Sequence, residues 1–373
     1  MEIAFSKDYE NAVEIAKDSL DLFSLYWFKY WLRRSRLVEA RINDAKVAVA
    51  LIFITDTICG KTGVYRIHKG QEKIFKAKIC LIGLGGLGCP ILQQLVSMGI
   101  GFLRIVNRDV VSITDLHRQY LYKPEDAGKM KVEVAFERLK ALNPGVEIDP
   151  KPIATTVYNV EETIKDFDLV IDSTDSIKAR YLVNRACLKL GIPYIYGAAI
   201  ENQGSAFTVL PGKTACLECI YLGLKDEDLP TCAIVSAHPS VLGIIASIQV
   251  SEAITLITEK EPILANKLLL VDLNSLYFDI LNLKRTEQCP ACSNYPNVEL
   301  ISYTESYEIG CAREGKGVFY LYPSSKISLN LVKLQDKLNN EGYKVLSKNK
   351  LSINFEPEKG IKMSISSEGF CVT

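Results

Sequence analysis

Two cysteine pairs, Cys216-Leu217-Glu218-Cys219 and Cys289-Pro290-Ala291-Cys292, are each spaced to present two thiolates from one tight turn. Together they supply four soft ligands, the set that a tetrahedral zinc ion selects. Cys216, Cys219, Cys289 and Cys292 are therefore the candidate metal ligands. No fifth ligand stands nearby, so the expected role is structural, closing a long loop that a sheet alone would not hold. A thioredoxin-like redox role is the competing reading, but neither pair opens a helix after the first strand of a βαβ unit. A second constellation is Gly83-Leu84-Gly85-Gly86-Leu87-Gly88. Glycines at this spacing permit a tight turn and let backbone amides approach a phosphate at a helix N-terminus. The pattern fits G-x-G-x-x-G, so a dinucleotide site competes with a mononucleotide one. A dinucleotide site calls for an acid roughly 20 residues on, to hold the ribose. Asn107 stands there, in Asn107-Arg108-Asp109. Both readings stay open on the loop alone, beside that of a purely structural turn.

These residues need elements to hold them. From residue 76 onward, short β-rich runs alternate with helical ones, the pattern of parallel βαβ units. Strands are expected over residues 77–82, 102–106, 147–153, 168–172, 194–197 and 204–210, and helices over 89–98, 131–142 and 179–190. The fold class that follows is α/β, a doubly wound, Rossmann-like, mostly parallel sheet. Between the cysteine pairs a long helical insertion is expected, and the zinc site would staple it. After Cys292 the alternation stops, and a strand (318–322), a helix (329–340) and three strands (343–346, 351–355, 361–365) suggest a small α+β domain. Before the sheet, residues 9–34 read as a helix, and 37–41 and 47–54 as strands. The expected organisation is a segment 1–68 for docking or dimerisation, a nucleotide domain 69–295, and a recruitment domain 296–373.

Composition narrows the function. Lysine plus arginine equals aspartate plus glutamate at 44 each, which leaves no net field for a polyanion or an anionic membrane. Nucleic acid and membrane are thus not expected partners. The longest purely apolar run, residues 47–54, is far below the ~20 residues of a spanning helix. Residues 234–257 are broken by His238, Pro239, Gln249 and Glu252 and read as a buried core helix. No secretory signal is visible over residues 1–17, so a cytoplasmic location is expected. The 11 cysteines then point to metal binding and reactivity rather than to disulfides.

The glycine loop is followed by Asp115-Leu116-His117-Arg118-Gln119, Gly128-Lys129-Met130-Lys131, Asp172-Ser173-Thr174-Asp175, Gly197-Ala198-Ala199 and Pro230-Thr231-Cys232. With the paired cysteines, this order resembles the ubiquitin-activating, ThiF, MoeB and HesA superfamily over about residues 70–295. The resemblance implies an adenylyltransferase that activates the C-terminal glycine carboxylate of a ubiquitin-like or sulfur-carrier β-grasp protein with ATP and Mg²⁺, commonly as a homodimer. It implies that Gly83, Gly85, Gly86 and Gly88 line the phosphates and that Asn107, Asp109, Gln119 and Ser176 complete the nucleotide site. Arg118 and Lys131 would clamp the triphosphate, and Asp175 would hold Mg²⁺. Fixed cations suit that task, because attack of a carboxylate on the α-phosphate builds charge on the departing pyrophosphate. Cys232 would accept the acyl group or enter a sulfur relay. Against these stand plainer roles: a salt-bridged charge for Arg118 or Lys131, a helix N-cap for Asp175, and a partly buried free thiol for Cys232.

Three departures mark this sequence. Asn107 stands where the family usually has an acid, Asp115 where it usually has asparagine, and the R-Y-x-R-Q stretch that lends an arginine across the dimer is absent. Arg66 or Lys61 could substitute for that arginine. The rival functions are adenylation of a peptide natural-product precursor, a non-catalytic partner subunit, and a dehydrogenase.

Overall fold

The computed structural model describes residues 64–228, 236–301, 307–311, 317–323 and 327–373. The chain divides into two compact units, Met1–Lys69 and Gly70–Thr373. The elements expected over residues 9–54, and Pro230, Thr231 and Cys232, lie outside the described residues.

Helix α1 (Val64–Lys76) leads into β1 (Lys78–Ile82), an interior strand of an eight-stranded sheet. Then follow α2 (Gly88–Ser97), β2 (Phe102–Val106), α3 (Lys131–Leu142), β3 (Glu147–Lys151), α4 (Val160–Ile164), β4 (Leu169–Asp172), α5 (Ile177–Leu190), β5 (Tyr194–Ile200) and β6 (Gln203–Val209). The sheet is completed by α6 (Leu217–Ile220), α7 (Pro239–Ile257), β7 (Lys267–Asp272) and β8 (Tyr277–Asn282). The strand order is β3-β2-β1-β4-β5-β6-β7-β8, parallel from β3 to β5 and antiparallel from β5 onward.

β1 shows why the sheet needs helices on both faces. Its residues alternate between two cores: Ile79 and Leu81 pack with α2, α3 and α7, whereas Cys80 and Ile82 pack with α4 and α5. A strand buried on both sides reads as an unbroken apolar run. Because α2 covers one face and α5 the other, the crossovers leave β1 and β4 in opposite directions. That makes the crevice beyond the ends of these two strands the switch point where ligands settle.

α7 is long and apolar enough to span a membrane by length and composition. Its buried polar residues assign it to the core instead. Gln249 Nε2 donates to the Asp172 carbonyl at 2.7 Å, and the Glu252 carboxylate accepts from Thr208 Oγ1 and from the amides of Ile263 and Leu264.

The segment between the cysteine pairs is not wholly helical, since it also contains β7 and β8. The run Leu268-Leu269-Leu270-Val271 is too short for periodicity to separate strand from buried helix.

The remaining chain forms β9 (Tyr307–Cys311), β10 (Gly317–Leu321), α8 (Leu331–Asn340), β11 (Lys344–Lys348), β12 (Ser352–Glu358), β13 (Ile361–Ser366) and β14 (Cys371–Val372). These strands make a six-stranded sheet in the order β11-β12-β13-β14-β10-β9, with Leu334 and Leu338 of α8 packed on Ile353 and Phe355. The expected strand-helix-strand pattern is present, with β9 and β14 in addition.

Candidate active site

The glycine turn closes against the end of β4. Gly83 has φ of +99°, and a Cβ there would lie 2.5 Å from the Ser173 carbonyl oxygen; at Gly88 it would lie 2.2 Å from the Gly83 carbonyl oxygen. Any side chain at either position would force the turn open. Ser173 Oγ donates to the Gly83 carbonyl at 2.6 Å, and Tyr122 OH to the Leu84 carbonyl at 3.0 Å. Gly86 lies under Leu242 of α7, and Gly85 faces the Gln119 amide. No side chain caps α2 at Leu87; the Cys89 amide donates to the Gly85 carbonyl at 3.1 Å and Pro90 has no N–H, so the amides of the turn itself, Gly85 to Gly88, are the ones left to meet an anion.

Beside this turn the ends of β2 and α3 are tied together. An isolated antiparallel bridge joins Val110 to Met130, and the Lys131 amide donates to the Asp109 carbonyl at 2.9 Å. Lys131, only 6% exposed along its side chain, places Nζ 3.3 Å from Asp115 and 3.6 Å from Asp109. Asp115 also accepts from Arg118 at 2.7 Å. Asn107 Oδ1 accepts from the Asp109 amide at 2.8 Å. Burial works against the Lys131 ammonium, but Asp109 and Asp115 outweigh it and hold its pKa above the ordinary lysine value. Burial likewise opposes the Asp115 carboxylate, but Lys131 and Arg118 hold it below the usual carboxyl range. Lys131 and Asp115 thus each favour the charged form of the other. The carboxylate at 115, where the superfamily usually has an amide, is neutralised from two sides.

Gln119 is 2% exposed, and its Oε1 has no hydrogen-bond partner among the described residues. A buried acceptor left open beside a glycine turn can take a hydroxyl or amino donor from a ligand.

Across the crevice, Asp172 is fully buried. It accepts from the Thr174 amide at 2.8 Å and Thr174 Oγ1 at 2.7 Å, and from Tyr194 OH. Arg180 donates to the Thr174 carbonyl and lies over the Tyr196 ring. This turn presents Asp175, which is exposed and makes no hydrogen bond or ion pair among the described residues. Asp175 does not cap α5. Ser176 does, accepting from the Ala179 amide. Asp226 adds to that cap, accepting from the Ile177 amide at 2.5 Å and from Ser176 Oγ at 3.1 Å. Ser176 is thereby committed to the helix end, while Asp175 is left available to a hard cation such as Mg²⁺. Asp172, Arg180 and Asp226 were not singled out from sequence. Of these only Asp172 carried a signal, as the first residue of the D-S-T-D stretch.

The cysteine pairs meet although 73 positions separate Cys216 from Cys289. Sulfur separations are 4.0 Å (Cys216–Cys219), 3.6 Å (Cys216–Cys289) and 3.4 Å (Cys219–Cys292), and all four sulfurs lie within 4.8 Å of one another. Zinc–sulfur bonds of 2.3 Å in a tetrahedron set sulfurs about 3.8 Å apart, so the four thiols fit that ion and are too far apart for disulfides. Arg185 fixes the first turn through Glu218, at 2.8 and 2.7 Å. Cys80 and Cys89 are fully buried, and burial pushes their thiols up to about 12 and about 11; they are inert fillers. A cavity of about 620 Å³ opens between α3 and the C-terminal sheet, lined by Glu133, Glu137, Asn330 and Lys350 among others, and no glycine-loop residue borders it.

The family model for ThiF matches residues 62–291. A sulfur carrier protein adenylyltransferase of Thermus thermophilus is 35% identical over 242 residues, covering 63% of this chain and 89% of that protein. A SAMP-activating enzyme E1 of Haloferax volcanii is 31% identical over 244 residues, covering 65% and 90%. Among solved structures, E. coli MccB with ATP is similar in fold, with a TM-score of 0.55, 22% identity, and 73% of this chain and 89% of that one covered. Matched over more than half its length by that model, the chain belongs to the ThiF family, within the ubiquitin-activating, ThiF, MoeB and HesA superfamily.

Proposed function

We propose that this chain is a cytoplasmic adenylyltransferase that uses ATP and Mg²⁺ to activate the C-terminal glycine carboxylate of a ubiquitin-like sulfur-carrier protein of the β-grasp kind. The observation that carries the reading is the convergence of Lys131, Arg118, Asp109 and an open Gln119 acceptor beside the glycine turn. The relatives at 31–35% identity support the substrate class. The carboxylate oxygen attacks the α-phosphorus, the bond from that phosphorus to the bridging oxygen breaks, and pyrophosphate leaves. The amides of the turn from Gly85 to Gly88 receive the phosphates, and Lys131 and Arg118 meet the charge gathering on the leaving group. Asp175 would hold Mg²⁺, which would shield the phosphate oxygens. The four cysteines would hold zinc, and the ion's contribution would be to folding.

The substrate must also be gripped. β8 is an edge strand with Tyr277, Phe278, Ile280 and Leu281 exposed, an apolar surface of the kind a partner sheet covers. Transfer to Cys232 or to a sulfur donor follows adenylation, and a homodimer with Met1–Lys69 as a docking or pairing segment completes the reading. Residues 296–373 support the site by packing against the turn that carries Lys131.

The fold likeness to MccB, which extends over 73% of the chain, favours a second reading in which the activated carboxylate belongs to a short peptide. Incubation with radiolabelled pyrophosphate and ATP separates the outcomes. Exchange that requires a β-grasp protein ending in Gly-Gly supports the first reading, and exchange that requires only a peptide supports the second. No exchange with either, or full exchange in Lys131→Ala, overturns both. Cys232→Ala is expected to keep exchange and lose any dithiothreitol-sensitive adduct.

A further inference from the structure

The C-terminal sheet reaches the nucleotide crevice through one residue of β2's extension. Arg108, between Asn107 and Asp109, gives two hydrogen bonds to Glu308, at 2.6 and 3.0 Å. It also donates to Tyr322 OH, which in turn donates to Glu308. Its guanidinium lies 4.1 Å from the centroid of the Tyr320 ring, and its Nε lies 3.9 Å from Asp109. Glu308 and Tyr320 are cross-strand partners in the β9–β10 ladder. Phe370, 2% exposed, packs beside the Tyr320 ring at 6.1 Å. The β9–β10 hairpin is thus locked onto the end of β2, and Tyr320 has its ring position fixed by a cation and an aromatic neighbour.

What remains unassigned on Tyr320 is its hydroxyl. It makes no hydrogen bond among the described residues, and the side chain is half-buried. Its ring lies against the guanidinium of Arg108, which stands between Asn107 and Asp109, so Tyr320 is stationed at the end of β2. A phenolic hydroxyl without a protein partner is free to donate to a ligand. The end of β2 is where a ribose is held in folds of this topology, and the residue stationed there, Asn107, has already given its carbonyl oxygen to the Asp109 amide.

We propose that the Tyr320 hydroxyl, carried by the C-terminal sheet, is a nucleotide-binding group that donates a hydrogen bond to a ribose oxygen at the end of β2, so that this sheet completes the site. The inference rests on the adenylation reading and adds a residue from outside the segment that the family model matches.

Tyr320→Phe keeps the ring, its Arg108 contact and its Phe370 contact. Calorimetric titration with ATP in the full chain is expected to show a Kd five- to tenfold higher than wild type, the value of one hydrogen bond, with an unchanged Tm. Titration with 2′-deoxy-ATP and 3′-deoxy-ATP identifies the oxygen: one analogue should weaken binding to the wild type by a similar factor and to Tyr320→Phe by no further factor. Binding of ATP by Tyr320→Phe within twofold of wild type, or an equal penalty for both deoxy analogues in both proteins, overturns the assignment of Tyr320 alone. A wild-type chain that binds no ATP overturns the adenylation reading with it.

Discussion

Replacing Asp115 by asparagine would test the charge balance at the centre of the site. Asp115 lies 2.7 Å from Arg118 and 3.3 Å from Lys131. A phosphate oxygen on the far side of either cation, at a charge-assisted distance of about 2.8 Å, would stand about 6 Å from this carboxylate. At an effective dielectric constant of ~20 the repulsion is about 3 kcal/mol per unit charge. Salt and relaxation would leave roughly half of that, or about tenfold in Kd. Asp115→Asn is therefore expected to bind MgATP roughly tenfold tighter while folding less stably, because buried Lys131 keeps only Asp109 as a carboxylate partner, at 3.6 Å. That loss costs about 1–3 kcal/mol. Lys131 and Arg118 overcome burial and hold the Asp115 carboxyl below its ordinary value of 3.8, so its stabilisation is complete above that value and disappears as pH falls through the lower, folded one. The Tm gap between wild type and variant should accordingly be full at neutral pH and narrow below about pH 4. Calorimetric titration and thermal scans at the two pH values read both effects. Unchanged or weaker MgATP binding by the variant would mean that the partners of Asp115 do not meet the triphosphate, and the reasoning would fail.

Metal analysis of the purified chain should find one zinc per chain, and a strong chelator or Cys289→Ser should lower the Tm by more than 10 °C, because structural zinc contributes on the order of 10 kcal/mol; a zinc-free chain of undiminished Tm would sink the assignment. Glu133→Ala should leave the amides of Lys350 and Leu351 and the Ser352 hydroxyl without their acceptor, at about 2–4 kcal/mol. The readout is earlier proteolysis of the C-terminal sheet with rising denaturant, and Glu133→Gln, which keeps an acceptor, should restore most of the resistance.

What the sequence made legible was local. The glycine turn, the unbroken apolar run of β1 and the two C-x-x-C turns are set by neighbours a few positions apart, so pattern alone placed them. Asp109 and Lys131 are far apart in the chain, and only the resemblance suggested that they meet; the physical cause is the Val110–Met130 bridge, which no propensity reports. β7 and β8 were hidden because a short apolar run serves either a strand or a helix. The alternative reading of Asp175 as a cap fails for a different reason, since Ser176 and Asp226 together occupy that helix end and Asp226 arrives from beyond the first cysteine pair. Arg108 looked like one more charge, because its partner Glu308 lies 200 positions away.

Lys131 and Glu133 stand two positions apart in the first turn of α3 and so face different ways. Lys131 enters the charged cluster; Glu133 enters the C-terminal sheet. The approach to that turn is held likewise, with the Lys129 carbonyl accepting from Val111 and the Gly128 carbonyl from Asn354 at 3.0 Å. Met130, 1% exposed, has its sulfur 3.6 Å from Ser364 Oγ. The segment that aims Lys131 is therefore gripped by β2's extension on one side and by β12 and β13 on the other. The family model ends at residue 291, yet the support for its buried lysine does not. In this chain the C-terminal sheet reaches the crevice twice, at the turn that carries Lys131 and at Arg108 beside Asp109, so a disturbance of its docking has a direct path to Lys131.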